Sequence, residues 1–252
     1  VRRLLRGPLL LSLALLAGAV AGLAPARAED AAPRKLPAWK KGVHEGRVSI
    51  DGKEEAFTVL VPAGYTPKKT WPAVLLLHGN GGKAADFLQH VKSHVGKAPL
   101  LLVSLERCDN GQDAVGYASK YLEGLRAQLS LADGRLFALG FSGGGFRLWD
   151  DVVGKPEEAT KFRGVVLVGS ARQSFDPGEK PSPAPTVILV GDPRDPNFTE
   201  SGPAAEKALA EKGYETIVLE HSAGHSMPAA EMKEVFAWID AVVSGKETTL
   251  AT

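Results

Sequence analysis

The segment Gly140-Phe141-Ser142-Gly143-Gly144 sets one hydroxyl among glycines, directly after the apolar run LFAL. A serine hydroxyl is a poor nucleophile at neutral pH unless a histidine takes its proton and a carboxylate holds that histidine in the right tautomer. Gly-x-Ser-x-Gly can be a plain loop, but where a strand hands over to a helix it makes a sharp elbow. The serine there takes strained backbone angles, the glycines avoid clashes with neighbouring elements, and the hydroxyl stands at the carboxyl edge of the sheet. Ser142 is therefore the candidate nucleophile, and its partners are expected downstream in the order acid, then histidine.

The only histidines after Ser142 are His221 and His225, both in LEHSAGHSMP. His225 is the expected base, because it lies in a Gly-containing loop that can swing to the sheet edge, whereas His221 abuts the preceding apolar run. The acid falls in VILVGDPRDPNF, which offers Asp192 and Asp195. Asp192 follows the run at once, where aspartate next to proline often caps a turn through its own side chain. Asp195 sits further into the loop and is favoured, with Asp192 as the alternative acid. The tetrahedral intermediate of acyl transfer also needs donors for its oxyanion, each worth about 3 to 4 kcal/mol of barrier. HGNGG, after the run AVLLL, supplies them: the backbone amides of Asn80 and Gly143 are the expected pair, and His78 is read as a packed, structural imidazole.

These residues need a sheet whose strands all end on one side. RVSID and EEAFTVLVP flank Asp51-Gly52-Lys53, a hairpin signal that predicts an antiparallel start. The runs AVLLLHG, LLLVSLE, RLFALGFS, GVVLVGS, TVILVG and ETIVLE follow. Helical stretches near 84–94, 114–131, 143–153, 203–212 and 228–242 are interleaved with them. Near-continuous Val, Leu and Ile runs separated by helices predict an α/β fold, a mostly parallel sheet flanked by helices. The last helix carries Met232, Val235, Phe236, Ile239 and Val243 on one stripe. The Pro-rich connector 172–185 is too short for a cap domain and reads as an ordered loop near the site.

Arg2, Arg3 and Arg6 precede an apolar run from Leu9 to Ala24 and then Pro25-Ala26-Arg27-Ala28, the pattern of a cleaved secretory leader. Gly18 and Gly22 interrupt that run, and it is short of the roughly 20 apolar residues that span a bilayer, so no stable membrane insertion is expected after cleavage. The expected organisation is a signal peptide over 1–28, an irregular arm over 29–46, a catalytic domain over 47–245 and a tail over 246–252, with export to the periplasm or outside the cell. The leader takes four arginines and no acids, leaving 26 basic against 29 acidic side chains, a balance of −3. Nothing in that balance suggests a nucleic-acid footprint, which would need Lys and Arg clustered on one face of the folded part, and no nucleic-acid partner is expected. Cys108 is the only cysteine and cannot form an intrachain disulfide; it reads as a small apolar side chain. His90 and His94 lack a neighbouring acidic motif that would complete a metal site, and no phosphate-binding motif occurs, so no metal and no cofactor is expected. Trp39, Trp71 and Trp149 read as core packing before they read as sugar- or aryl-stacking platforms. The sequence carries no signal of oligomeric state.

HGNGG, GFSGG, the Asp-containing loop after VILVG, and GHSMP together resemble the α/β-hydrolase family. They are most similar to its compact secreted esterases, the polyhydroxybutyrate-depolymerase-like and feruloyl-esterase-like proteins. The resemblance runs from about Arg47 to Val243. It implies an eight-stranded, mostly parallel sheet without a large cap domain and ester hydrolysis through an acyl-enzyme, with Ser142 as nucleophile and His225 as base. Such enzymes often place the acid three residues after a glycine, whereas here Gly191 is followed by Asp192 at once and by Asp195 four places on. Substrates left open are short acyl, feruloyl, acetyl-sugar and polyester esters. A peptidase or amidase on the same fold, and a silent binding protein that keeps the fold, are the alternative readings.

Overall fold

The structure, a computed structural model, describes residues 36–108, 117–174 and 176–246. The leader, the first part of the arm, the start of the helix expected from residue 114 and the tail from residue 247 lie outside the described residues.

Eight strands form one sheet in the order β1-β2-β4-β3-β5-β6-β7-β8. β1 (Gly42–Ile50) and β2 (Lys53–Val61) are a hairpin in register Ile50↔Lys53. Asp51 and Gly52 both take positive φ, 51° and 77°, the combination a two-residue turn needs to follow the twist of its strands. β2 then pairs antiparallel with β4 (Leu101–Leu105). Every remaining pair is parallel, through β3 (Trp71–Leu77), β5 (Leu131–Phe141), β6 (Gly164–Val168), β7 (Thr186–Gly191) and β8 (Thr216–Glu220).

The central strands divide their side chains between two cores with a period of two. In β3, Ala73, Leu75 and Leu77 join one core, and Val74 and Leu76 the other; in β7, Val187 and Leu189 oppose Ile188 and Val190. The first core is closed by Tyr121, Leu122 and Leu125 of α2 (Tyr117–Arg126), by Leu148 of α3 (Gly143–Leu148), by Ala159 of α4 (Pro156–Ala159), and by Ala205 and Leu209 of α5 (Ser201–Glu211). The second is closed by Phe87, Leu88 and Val91 of α1 (Ala84–Lys92) and by Met232, Val235, Phe236, Trp238 and Ile239 of α6 (Ala229–Val243). A sheet covered on both faces explains why its parallel strands read as unbroken apolar runs. Among the described residues no helix is long and apolar enough to cross a membrane.

The structure moves three expected boundaries. β1 starts at Gly42, so residues 42–46 of the expected arm are strand: an edge strand that alternates half-buried and exposed side chains carries no apolar run, and β2 supplies the pairing. The helix expected to reach residue 131 ends at Arg126, because Leu131 pairs with Trp71 as the first residue of β5. The helix expected over 143–153 is α3 followed by a π-helical turn, Trp149–Val153, in which the Gly154 N–H reaches the Trp149 carbonyl at 2.8 Å.

The tryptophans belong to the scaffold. Trp71 and Trp149 are 5% and 0% exposed, with indole N–H groups donating to the carbonyls of Thr66 and Ser170. Trp39 packs edge-on to Phe57 and donates to the Gln128 carbonyl. Cys108 is buried, its Sγ 3.3 Å from the Leu105 carbonyl.

Candidate active site

β5 delivers the chain to Ser142 at the carboxyl edge of the sheet, and α3 leads it away. Ser142 has φ 50° and ψ −118°, a conformation rarely adopted by non-glycine residues and costing on the order of 1–3 kcal/mol. Surrounding bonds impose it: the Ser142 N–H donates to the Val168 carbonyl and its carbonyl accepts from the Phe146 N–H, each at 2.9 Å. Both outer glycines of the elbow are sterically obligatory. A Cβ on Gly140 would lie 2.5 Å from the Gly144 carbonyl oxygen, and one on Gly144 would lie 2.2 Å from that of Leu77.

His225 comes from the loop between β8 and α6. Its Nδ1 is 2.6 Å from Asp195 Oδ2 and its Nε2 is 2.8 Å from Ser142 Oγ. A carboxylate accepts, so Nδ1 carries a proton, and in the neutral ring Nε2 then presents its lone pair to the serine O–H. The three side chains are graded in exposure: the Asp195 carboxylate is 1% exposed, the imidazole 36%, and Ser142 is half-buried. A buried carboxylate is tolerated only when its oxygens are bonded. Here Oδ2 receives the imidazole N–H and Oδ1 receives the Asn197 backbone and side-chain N–H groups at 3.0 and 3.2 Å. The ring lies against Phe141, centroids 5.0 Å apart. A Cβ on Gly169 would come within 3.1 Å of it, so the bare backbone at Gly169, with φ 56°, leaves the imidazole its place.

Asp192 does not reach the imidazole. Its Oδ1 accepts from the Arg194 backbone N–H at 2.8 Å and from Nε at 3.0 Å. Its Oδ2 accepts from Arg194 Nη2 at 2.8 Å and from the Gly224 N–H at 2.7 Å. The side-chain bonds to Arg194, then the backbone bonds to Arg194 and Gly224, hold its carboxyl well below the usual carboxylate range against the opposing effect of burial. Arg194 has no counterpart in the sequence reading; the signal was available as an Asp and an Arg two apart in a turn.

Asn80 and Gly143 are adjacent: a Cβ on Gly143 would be 3.1 Å from the Asn80 backbone nitrogen. His78 is 3% exposed, its ring nitrogens 2.8 Å from the Gly79 carbonyl and 3.0 Å from that of Glu106, which ties the glycine loop to the end of β4. Beside this loop opens a cleft of about 440 Å³ whose walls include Asn80, Lys83, Asp86, Phe87, His90 and Phe141. His221 bonds within its own loop, its Nδ1 accepting from the Ala223 N–H at 3.2 Å, and it is His225 that bonds Ser142. His90 and His94 stack edge-on, and burial first, then the charges of His90 and Lys233, lower the His94 pKa. Among the described residues no group of three His, Cys, Asp or Glu side chains is placed to hold a metal ion.

No family model and no curated protein matches the chain. Solved structures match its fold. A thermostable esterase aligns with a TM-score of 0.60 at 15% identity over 78% of this chain, which spans only 62% of that protein. A hyperthermophilic esterase from the archaeon Pyrobaculum calidifontis aligns at 0.63 and 14% identity over 82% of this chain and 87% of its own. The feruloyl esterase module from Clostridium thermocellum, complexed with sinapinate, aligns at 0.56 and 13% identity over 84% and 90%. With the sheet order above, these likenesses establish the α/β-hydrolase fold for the chain.

Proposed function

We propose that the protein is an exported serine hydrolase that cleaves carboxylic esters through an acyl-enzyme. One observation carries the reading: a single hydrogen-bonded line runs from buried Asp195 through His225 to the hydroxyl of a strained elbow serine. In this mechanism Ser142 Oγ attacks the ester carbonyl while His225 Nε2 takes its proton. Asp195 fixes the tautomer and offsets the imidazolium charge, and the imidazolium then protonates the departing alcohol. The N–H groups of Asn80 and Gly143 receive the developing oxyanion. Water, activated by the same imidazole, releases the acid. Most of the fold neighbours are named as esterases, although a dipeptidyl peptidase from Porphyromonas gingivalis shares the fold, and that balance supports an ester over an amide; the leader pattern at the amino end supports export.

The cleft beside the glycine loop gives the substrate its place, with Phe87 and Phe141 as apolar wall and Lys83, Asp86 and His90 on its rim. A panel of 4-nitrophenyl esters of increasing acyl length, with feruloyl, acetyl-sugar and hydroxyalkanoate esters, tests the reading beside aminoacyl 4-nitroanilides. The expected result is ester turnover with a rapid initial release of nitrophenol equal to the enzyme present, the mark of an accumulating acyl-enzyme. Anilide cleavage matching or exceeding ester cleavage would move the chain to the peptidases. Absence of both would point to a silent binding protein.

A further inference from the structure

We infer that Asp192 and Arg194 form a bracket that holds the backbone of the histidine loop and thereby positions His225, without either side chain taking part in the chemistry. The inference rests on the esterase reading for its kinetic consequence and on the hydrogen bonds alone for its geometry.

The loop 221–226 is short, and Gly224, immediately before His225, has φ 69° with nothing within 4 Å of where a Cβ would stand. Such a residue leaves the next side chain free to wander unless the backbone is tied. The internal bonds of the loop do not tie it to the sheet: the Ser226 N–H reaches the Gly224 carbonyl and Ser226 Oγ the Ala223 carbonyl. The ties come from the last residue of β7 and the turn after it. The Gly191 carbonyl receives the His221 N–H at 3.1 Å, Asp192 Oδ2 receives the Gly224 N–H at 2.7 Å, and Arg194 Nη2 donates to the Ser222 carbonyl at 2.6 Å. The guanidinium grips both Asp192 oxygens, so the carboxylate and its cation act as one rigid fork with a prong on each side of Ala223. The Asp195 N–H in turn donates to the Asp192 carbonyl at 2.8 Å, fixing the two aspartates relative to each other.

This gives the two aspartates of GDPRD distinct tasks. Asp195 holds the ring of His225, and Asp192, through Gly224, holds the backbone from which the ring projects. The geometry also explains a 1% exposed carboxylate beside an arginine whose side chain is 71% exposed: the acid is committed to the loop, and the cation covers it from the solvent side.

The test uses Arg194→Ala and Asp192→Asn with Arg194→Lys as the conservative replacement. Each is assayed for kcat and KM on the best ester and for the downfield proton resonance of the His225–Asp195 hydrogen bond. Displacing a catalytic group by about 1 Å can cost on the order of 100-fold, so Arg194→Ala and Asp192→Asn are expected to lower kcat about 10- to 100-fold with KM within about two-fold. The resonance should shift or broaden in both, and Arg194→Lys should recover part of the loss. Because the Arg194 side chain is 71% exposed and backbone N–H groups still serve Asp192, its alanine variant is expected to keep the fold even if Asp192→Asn does not. An unchanged resonance with unchanged kcat in Arg194→Ala overturns the bracket, as does a loss confined to KM, which would make Arg194 a substrate contact. If the wild-type protein cleaves no ester, the esterase reading fails, and the resonance alone still decides whether the bracket positions His225.

Discussion

Replacing Ser142 with alanine is expected to lower ester turnover by at least about 10⁴-fold while leaving the melting temperature close to that of the wild-type protein. The size follows from the role: without Oγ no acyl-enzyme forms, and only binding and the oxyanion donors remain to assist water. The fold should survive because the bonds that impose the elbow run through the backbone of residue 142, to Val168 and Phe146, and not through its hydroxyl. Steady-state hydrolysis of the best ester, with thermal denaturation of the same samples, checks both halves. Turnover within ten-fold of wild type would remove Ser142 from the chemistry.

Asp195→Asn is expected to cost about 10⁴-fold in kcat, because an amide can donate to Nδ1 and so stabilise the tautomer that leaves Nε2 protonated and unable to accept from serine. Asp192→Asn, three residues away, should cost far less. The contrast is informative because both aspartates are buried just beyond the same strand, with Asp192 1% and Asp195 3% exposed as whole residues. A generic loss of a buried charge would affect the two alike, whereas a role in proton transfer puts the larger loss on the one that touches the imidazole and leaves Asp192 the smaller cost of positioning the loop. The reverse order of effects, measured on the same ester, would make Asp192 the acid and require the loop to rearrange from the structure described here.

Much of the architecture is written in the sequence because the central strands are buried on both faces. GVVLV and TVILV have no position that water reaches, so their apolar runs are continuous and their type is unambiguous. The elbow is legible for a related reason: Gly140 and Gly144 have no room for a Cβ, and the sequence records that directly. β1 is legible only from Arg47 on, since GVHEG gains its strand conformation from hydrogen bonds to β2 and not from a buried face. The end of α2 is blurred because Leu125 and Leu129 keep a helical spacing although the chain has already left the helix to enter β5.

At the site, the choice between Asp192 and Asp195 turns on where each side chain folds back within a four-residue turn. Asp192 bonds forward to the Arg194 N–H and Asp195 bonds forward to the Asn197 N–H. Sequence shows the same Asp-Pro pair in both places. Only the packing of Asp195 beneath the imidazole, and of the Gly224 amide over Asp192, separates their tasks.

On the proposed function, Ser142 Oγ is a nucleophile activated by His225. The most direct test of this role is reaction with a fluorophosphonate followed by peptide mass spectrometry, which locates the adduct without any knowledge of the natural substrate. One phosphonyl group per chain is expected, on the peptide containing Ser142, with labelling lost in Ser142→Ala and strongly slowed in His225→Ala. A chain that stays unlabelled, or carries the adduct on another residue, would contradict that role.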